Sequence, residues 1–253
     1  MKDLKISIVT VSYNSQKTIT TTLDSINNQR YNEIEHLIID GGSTDNTNSI
    51  IKKYPHIKKI ISEPDEGIYY GMNKGIKIAT GDIIGFLNSD DLYASNDILS
   101  KVANIFNDNP LLDACYANLV YVDQNDLSKD IRYWKSRKFI PGLFSKGWCP
   151  PHLTFFVRSS VYKKYGNFNI KYKIAADVEL MMRFLEIDKI NVRYIPDLWV
   201  KMRLGGTTNK NFRNIFIQNM EILHALKSHK LSYNWISFFV FKIISRALQF
   251  IKK

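Results

Sequence analysis

The sequence predicts an α/β fold, in which helices cover a mostly parallel β-sheet, followed by an amphipathic C-terminal helix. Short apolar runs rich in β-branched residues alternate with segments of helical periodicity over residues 6–106, as in consecutive strand–helix units. Acidic clusters follow two of these runs, at 40–45 (DGGSTD) and 88–91 (NSDD). Because the carboxyl ends of parallel strands form the binding crevice of such a sheet, the clusters mark a candidate site.

The elements follow from the order of these runs. Strands are predicted at 6–12, 36–39, 59–62, 83–87 and 114–122. Helices are predicted through Ile19, Leu23 and Ile26, from Ser43 or Thr44 to about Tyr54, through Met72 and Ile78, over 99–106 and over 175–185. Residues 123–145 are polar and aromatic without either period, which predicts an insertion or loop.

Composition narrows the class of protein. The chain has 253 residues, of which 45% are hydrophobic and 23% charged, so it can bury a full core and is not a disordered protein. A net charge of +11 indicates a polyanionic partner, for which nucleic acid, anionic lipid and phosphorylated substrate all qualify. Cys115 and Cys149 lie far apart, which favours reduced cytosolic thiols over a zinc site or disulfide. The first apolar run is too short for a secretion signal and reads as a strand.

The C-terminal segment differs from the rest of the chain. Over 235–253 most residues are apolar or aromatic except a stripe that shares one helical face, formed by Lys242, Ser245, Arg246, Gln249 and Lys253. A transmembrane helix needs about twenty apolar residues, and two of these cations would lie inside it, so a helix in the bilayer interface fits better. Packing of this helix on the domain or on a second copy of the chain is the alternative.

Four segments together resemble the family 2 glycosyltransferases of the GT-A fold, which have a Rossmann-like nucleotide-binding α/β/α sandwich. They are 7–14 (SIVTVSYN), 40–45 (DGGSTD), 81–91 (GDIIGFLNSDD) and 176–180 (ADVEL), in the order found in the family. The resemblance covers about residues 5–205. It implies a GT-A domain at 1–230, with a nucleotide-sugar-binding half at 1–110 and an acceptor half at 111–230, and leaves 231–253 as the helical tail.

The resemblance implies a base pocket at the ends of the first two strands. Asp40 matches the carboxylate that accepts a hydrogen bond from the uracil ring, a charge-assisted contact. Thr10 and Tyr13 match positions that line this pocket, where an aromatic ring can stack on a base. Asp40 could also act as the N-cap of the following helix.

The segment 88–91 matches the metal-binding motif of the family. Asp90 is implied as the main ligand of Mn²⁺ or Mg²⁺, and Asp91 as a second ligand or a ribose contact. Asn88 replaces the first acid of the family motif, which weakens the site without abolishing it, because Mg²⁺ retains water and substrate oxygens as ligands. The alternative for this segment is an acidic turn that caps the next helix.

Asp177 matches the catalytic base of the family. Ala176 stands where a second acid is usual, so Asp177 is the single carboxylate implied for this role. It would take the proton of the acceptor hydroxyl as the oxygen attacks the anomeric carbon, in one displacement that inverts configuration.

Four further residues are implied on weaker grounds. Asp65 matches a nucleotide-side acid and Lys74 is expected near the diphosphate, although both could be ordinary surface charges. Arg203, in 203–208 (RLGGTT), is expected to bind the diphosphate, because a guanidinium can contact two oxygens at once. His152, in 148–152 (WCPPH), would contact the donor phosphate or the acceptor, or act as a packed structural residue.

The sequence therefore predicts an inverting, metal-dependent glycosyltransferase that moves a sugar from a UDP-sugar to a hydroxyl of a glycan acceptor. The acceptor is expected to be linked to a polyprenyl diphosphate, in the synthesis of a surface polysaccharide such as O-antigen or capsule. The tail would hold the enzyme on the inner face of the cytoplasmic membrane, or pair two chains in a homo-oligomer. One alternative is a sugar nucleotidyltransferase, which would usually have a Gly-rich phosphate loop after the first strand, where this sequence has none. The other is a basic nucleic-acid-binding protein, although no nucleic-acid-binding module is recognised in the sequence.

Overall fold

A computed structural model describes residues 3–205 and 212–250 of the chain. Within these residues one sheet contains all of the strands, which are β1 (Ile6–Ser12), β2 (Ile34–Asp40), β3 (Ile57–Ser62), β4 (Ile83–Phe86), β5 (Leu92–Tyr93), β6 (Ala114–Val122), β7 (Asp130–Trp134), β8 (Phe156–Arg158) and β9 (Val192–Arg203). The strand order is β3-β2-β1-β4-β8-β6-β9-β5, with β7 paired to β6. This arrangement confirms the α/β class.

The first half of the sheet is parallel. β1 lies between β2 and β4, and β2 pairs with β3, all in parallel register. Ser12 lies opposite Asp40, and Asp40 lies opposite Ser62, so the strand ends form one edge. The acidic segments predicted to share a crevice therefore do start from the same edge of the sheet.

The second half of the sheet is mixed rather than parallel. β8 runs antiparallel to both β4 and β6, β7 is antiparallel to β6, and only β9 runs parallel to β6. β7 lies inside the segment predicted to be a loop. Its side chains are exposed or half-buried, so its sequence lacks the apolar alternation that identifies a strand. Pairing with the fully buried β6 makes it a strand in the structure.

The helices in the described residues are α1 (Ile19–Asn27), α2 (Thr47–Ile51), α3 (Ile68–Ile78), α4 (Ile98–Asp108), α5 (Ser159–Tyr165), α6 (Ala176–Met182), α7 (Phe212–Ser228) and α8 (Trp235–Leu248). α1 and α3 lie on opposite faces of the parallel half. Successive residues of β2 face opposite layers: Ile38 packs with Ile19 and Leu23 of α1, whereas Leu37 and Ile39 belong to the main core with α3. α2 is shorter than predicted because the residues before it bond to the loop after β1 and to Asp40 instead of extending the helix.

α8 packs on the rest of the chain, with its one fully buried side chain, Phe238, against the turn at Phe144–Lys146. Gly147, at φ +72°, permits the close approach, since an added Cβ would lie 3.1 Å from the Phe238 carbonyl oxygen and 3.2 Å from Lys242 Cβ. Within the described ranges, no helix combines the length and apolar character needed to cross a membrane. Lys253, the last member of the predicted stripe, lies outside the described residues.

Candidate active site

A cavity of about 1130 Å³ opens at the carboxyl edge of the parallel strands. Its walls come from the loops after β1, β2 and β4, from the start of α6, and from one side of α8. Of the residues predicted for the site, five line this cavity: Tyr13, Asp65, Asp90, His152 and Asp177. Side chains contributed by separate segments of the sequence are therefore brought together around one space.

Asp40 is fully buried at the end of β2 and is fixed by its neighbours. Oδ1 accepts hydrogen bonds from the hydroxyls of Ser12 at 3.0 Å and Ser43 at 2.5 Å. Oδ2 accepts from the Ser62 hydroxyl at 2.7 Å and the Asn48 amide at 2.9 Å. Burial raises the pKa of Asp40, but these hydrogen bonds lower it on balance, so the carboxylate is stable as an anion.

Asp40 also bonds to the Ser43 backbone N–H at 2.9 Å, and thus shapes the turn that follows β2. The turn passes through Gly42 at φ +80°, a conformation that glycine adopts without strain. Tyr13, on the facing loop, is 65% exposed at the cavity mouth and its ring lies within 3.6 Å of the Cβ position of Gly41. An exposed ring beside an anchored carboxylate can stack on a planar base.

Asp90 and Asp91 have different environments. Asp90 lines the cavity, whereas Asp91 is fully buried behind it, where Oδ1 accepts from the Arg203 backbone N–H at 3.0 Å and Oδ2 is buried without a hydrogen-bond partner among the described residues. Burial raises the pKa of both carboxyls, and Asp90 raises that of Asp91 further. Two close carboxyls with an unpartnered oxygen are suited to a divalent cation.

Within the described residues, no group of three or more His, Cys, Asp or Glu side chains is placed to hold a metal ion. This agrees with a site in which the protein supplies one or two carboxylates and substrate phosphates complete the coordination, as is usual for Mg²⁺. The donor set therefore fits the predicted ion only together with a substrate.

Asp177 lies in the first turn of α6 and faces the cavity. Its Oδ1 accepts a hydrogen bond from the Tyr69 hydroxyl at 3.0 Å, and the same hydroxyl lies 2.9 Å from the Ile174 carbonyl oxygen. Burial raises the pKa of Tyr69 well above its usual value, and the charge of Asp177 adds to the effect, so the phenol remains a proton donor. Tyr69 thus orients one carboxylate oxygen and leaves the other available.

The start of α6 is held in place from α7. The Glu221 carboxylate accepts hydrogen bonds of 2.8–2.9 Å from three successive backbone N–H groups, those of Lys173, Ile174 and Ala175. Farther along α6, buried Glu179 pairs with Arg183 at 3.0 Å and with His229 at 2.8 Å. These contacts fix the position of Asp177 relative to the sheet.

Besides Asp40, which does not line the cavity and whose oxygens are occupied by the turn, the structure gives other partners to three residues that were expected to contact the substrate. Thr10 is fully buried, and its hydroxyl lies 3.1 Å from His36 Nε2 inside the sheet, because β1 turns this residue away from the cavity. Lys74 forms ion pairs of 2.5 Å with Asp65 and 2.7 Å with Glu63, and it lines a separate, smaller cavity. Neither side chain lies where a nucleotide would enter.

Arg203 is the third of these residues. Its guanidinium donates to the Gln124 carbonyl oxygen at 2.8 Å and to the Thr21 hydroxyl at 2.7 Å, and it is only 8% exposed. Its charge lowers the pKa of Asp90 and Asp91, against the larger effect of burial. We therefore assign Arg203 to the support of the two carboxylates, in place of the predicted diphosphate contact. Residues 206–208 of the same motif lie outside the described residues.

His152 is half-buried at the cavity wall. Its ring stacks on Phe86 at a centroid distance of 5.4 Å and meets Phe168 edge-on at 5.6 Å. Burial lowers its pKa, and Asp177 partly opposes this effect. The His152 ring is packed against aromatic side chains and also lines the cavity, so a structural role and a position beside the substrate are compatible.

Several cavity residues on the acceptor side could not be predicted from sequence motifs. Arg132 comes from β7, in the segment predicted to be a loop, and Tyr69 comes from a helix without a motif. The basic stripe of α8 was recognised, but its direction was not: Lys242, Ser245, Arg246 and Gln249 all line the cavity. The helical period fixes which residues share a face, and only the docking of the helix decides where that face points.

The comparison with known families and sequences agrees with this geometry. The family model described as glycosyl transferase family 2 matches residues 7–175. An uncharacterized glycosyltransferase of Mycobacterium tuberculosis is 32% identical over 181 residues, which cover 70% of this chain and 68% of that protein. A glycosyltransferase of Mycobacterium bovis named for PGL/p-HBAD biosynthesis is 28% identical over 219 residues, covering 85% and 83% of the two chains.

Solved structures share the fold. TarS of Staphylococcus aureus, residues 1–349 in complex with UDP, superposes with a TM-score of 0.66 at 19% identity, covering 91% of this chain and 67% of that one. A longer TarS chain is covered over only 40% of its length. The mannosyltransferase PcManGT of Pyrobaculum calidifontis, in complex with GDP-Man and Mn²⁺, gives a TM-score of 0.64 at 18% identity, with 98% and 75% covered. With its sequence match over 7–175 and this fold, the chain belongs to glycosyl transferase family 2.

Proposed function

We propose that this glycosyltransferase is an inverting, metal-dependent enzyme that transfers a sugar from a UDP-sugar to a hydroxyl of a lipid-linked glycan acceptor in surface-polysaccharide synthesis. The observation that carries the proposal is that Asp90 and Asp177 line one cavity beside the turn held by Asp40. A donor-side carboxylate and an acceptor-side base are the two groups that a single displacement requires. Family membership argues against the nucleotidyltransferase and nucleic-acid-binding alternatives.

On the donor side, Asp40 is buried and both of its oxygens already accept hydrogen bonds, so it would hold the turn beside the base pocket, and Tyr13 would stack on the base. The TarS structures with UDP and with UDP-GlcNAc support a uridine nucleotide, whereas the GDP-Man complex of PcManGT is the reason to test guanosine nucleotides as well. Asp90, backed by Asp91, would hold Mn²⁺ or Mg²⁺ together with the diphosphate. When bound, the cation would stabilise the negative charge of the leaving nucleoside diphosphate.

On the acceptor side, Asp177 would remove the proton from the attacking hydroxyl. Tyr69 holds one carboxylate oxygen, so the other is oriented toward the cavity for this transfer.

The enzyme would lie on the inner face of the cytoplasmic membrane through α8. The inner side of this helix packs on the domain and lines the cavity, while its other side exposes a row of large apolar side chains: Trp235, Ile236, Val240, Phe241, Ile243, Ile244 and Leu248. Exposed apolar surface of this size on one helix is typical of an interfacial membrane contact. The basic stripe faces inward, so apolar insertion and not attraction to lipid headgroups would drive binding.

The donor proposal is tested by saturation-transfer NMR of UDP-, GDP- and TDP-sugars with Mn²⁺, combined with release of the nucleoside diphosphate during turnover. We expect selective signals from UDP-sugars that weaken in Asp90→Asn. Asp108→Asn, which removes an exposed charge at the end of α4, is the control and should behave as the wild type. Equal or stronger signals from GDP-sugars would overturn the uridine assignment.

The membrane proposal is tested by flotation with vesicles made of equal parts of phosphatidylcholine and phosphatidylglycerol. Ile236→Ser/Ile243→Ser should abolish flotation because it removes two exposed apolar side chains from the outer face of α8. Leu111→Ser/Ile187→Ser changes exposed apolar residues elsewhere and should float normally. Flotation of the α8 variant at the wild-type level would show that the helix is not the anchor.

A further inference from the structure

Three cations converge on the acceptor-side wall of the cavity. Lys242 and Arg246 come from α8, one turn apart, and Arg132 comes from β7. All three are half-buried. The charge of Arg132 lowers the pKa of Arg246, after the larger effect of burial, so the two guanidinium groups are close enough to repel each other.

Among the described residues, none of these cations forms an ion pair with a carboxylate. Lys242 Nζ donates to the neutral Asn219 amide oxygen at 2.6 Å, and Arg132 lies 3.8 Å above the Tyr121 ring. Nε of Arg132 is buried without a hydrogen-bond partner in the described part of the chain. Half-buried cations that crowd together without an ion-paired carboxylate are costly, and a bound anion would relieve that cost.

The position of the cluster indicates which substrate brings the anion. Lys242 and Arg246 line the same cavity as Asp177 and Cys149, and Lys242 Cβ lies 3.2 Å from the Cβ position of Gly147, two residues before Cys149. Asp177 is the group that faces the acceptor hydroxyl. The carboxylates assigned to the donor instead lie at the ends of β2 and β4.

We propose that Lys242, Arg246 and Arg132 form a binding site for a phosphate group carried by the acceptor. A phosphate supplies up to two negative charges and several acceptor oxygens, which suits two guanidinium groups and an ammonium. The inference rests on the proposed function, because it takes Asp177 as the base on the acceptor side. It assigns one role to each side of α8: the inner side binds the phosphate, and the outer side contacts the lipid from which the acceptor extends.

The test measures binding of farnesyl phosphate at about pH 7, with and without saturating UDP and Mn²⁺, by isothermal titration calorimetry. Farnesol is the matched probe without phosphate. Lys242→Gln/Arg246→Gln should weaken farnesyl phosphate binding by at least about tenfold, because each charge-assisted contact contributes that order of affinity, while UDP affinity stays unchanged. Lys227→Gln/Lys230→Gln removes two exposed charges at the end of α7 and should leave both affinities unchanged.

Arg132→Gln provides a second variant outside α8, so its result does not depend on the docking of that helix. It should weaken the binding of farnesyl phosphate and leave the binding of farnesol unchanged. Unchanged farnesyl phosphate binding in both variants, or a loss confined to UDP, would overturn the proposal; in the second case the cations contact the donor diphosphate. Failure of the proposed function looks different, since the wild type would then bind farnesyl phosphate but no nucleotide sugar.

Discussion

The two walls of the cavity carry opposite charge and have different origins. The donor wall is made of carboxylates at the ends of parallel strands, and Asp40 is held there by four side-chain hydrogen bonds from Ser12, Ser43, Asn48 and Ser62. The acceptor wall is basic and comes from β7 and α8, where the hydrogen-bond partner of Lys242 among the described residues is the neutral Asn219 amide. The donor wall is therefore organised before a ligand binds, whereas the acceptor wall contains charges that a ligand would neutralise.

The largest effect is expected between the walls, at Asp177. Asp177→Asn keeps the shape and the Tyr69 hydrogen bond but removes the base, so turnover should fall by about a thousandfold while UDP affinity is unchanged. Steady-state turnover and UDP titration measure the two quantities. Asp108→Asn, which removes an exposed charge at the end of α4, is the control. Near-normal turnover of Asp177→Asn would assign the base to another residue.

The next effect concerns the donor wall. Asp40→Asn should weaken UDP binding by about tenfold, since an amide cannot accept all of the hydrogen bonds that hold the turn beside the base pocket. Ser62→Ala removes one hydroxyl that anchors Asp40 and leaves the carboxylate, so its loss should be smaller. Calorimetric titration with UDP measures both. Normal UDP binding by Asp40→Asn would show that the anchored turn does not support the base.

The acceptor wall should respond to pH in a way that the donor wall does not. Burial lowers the pKa of Lys242 to about 8, with Arg246 lowering it further and Cys149 and Asp177 opposing. Lys242 is charged below this pKa and neutral above it, so farnesyl phosphate binding should weaken several-fold between about pH 7 and pH 9. A bound phosphate favours the charged form and moves the midpoint upward.

Lys242→Arg keeps the charge through this range and should remove most of the dependence. UDP affinity, measured over the same range, should not follow the Lys242 titration. An identical pH profile in Lys242→Arg and the wild type would contradict the assignment of the titration to Lys242.

The smallest effect tests how α8 is docked. Gly147→Ala and Gly142→Ala both place a side chain at positive φ, +72° and +87°, which costs about 1 kcal/mol or more of unfolding free energy. Only at Gly147 would the new Cβ meet α8, whereas nothing lies within 4 Å of the corresponding position at Gly142. We therefore expect similar losses of stability in denaturant titrations, but weaker farnesyl phosphate binding only in Gly147→Ala. Equal binding by both variants would show that α8 tolerates the displacement.

Much of the fold could be predicted from the sequence because local pattern and tertiary position agree there. β6 was predicted with its observed bounds, since all nine of its residues are buried and all but Asn118 are apolar or aromatic. β7 could not be predicted, because its half-buried side chains have no clear period. In the candidate site, the motifs indicated Asp40, Asp90 and Asp177, whose elements place them at the sheet edge or a helix start.

The sequence by itself determined the alternation of strands and helices, the family motifs and the grouping of Lys242 with Arg246 on one helical face, because each depends on residues close together in the chain. Only the tertiary structure decided that Thr10 and Arg203 bond away from the cavity and that the basic face of α8 points into it. The physical reason is that a period fixes which side chains lie together, whereas packing against distant segments, such as Phe238 on the turn before Gly147, fixes the direction they face.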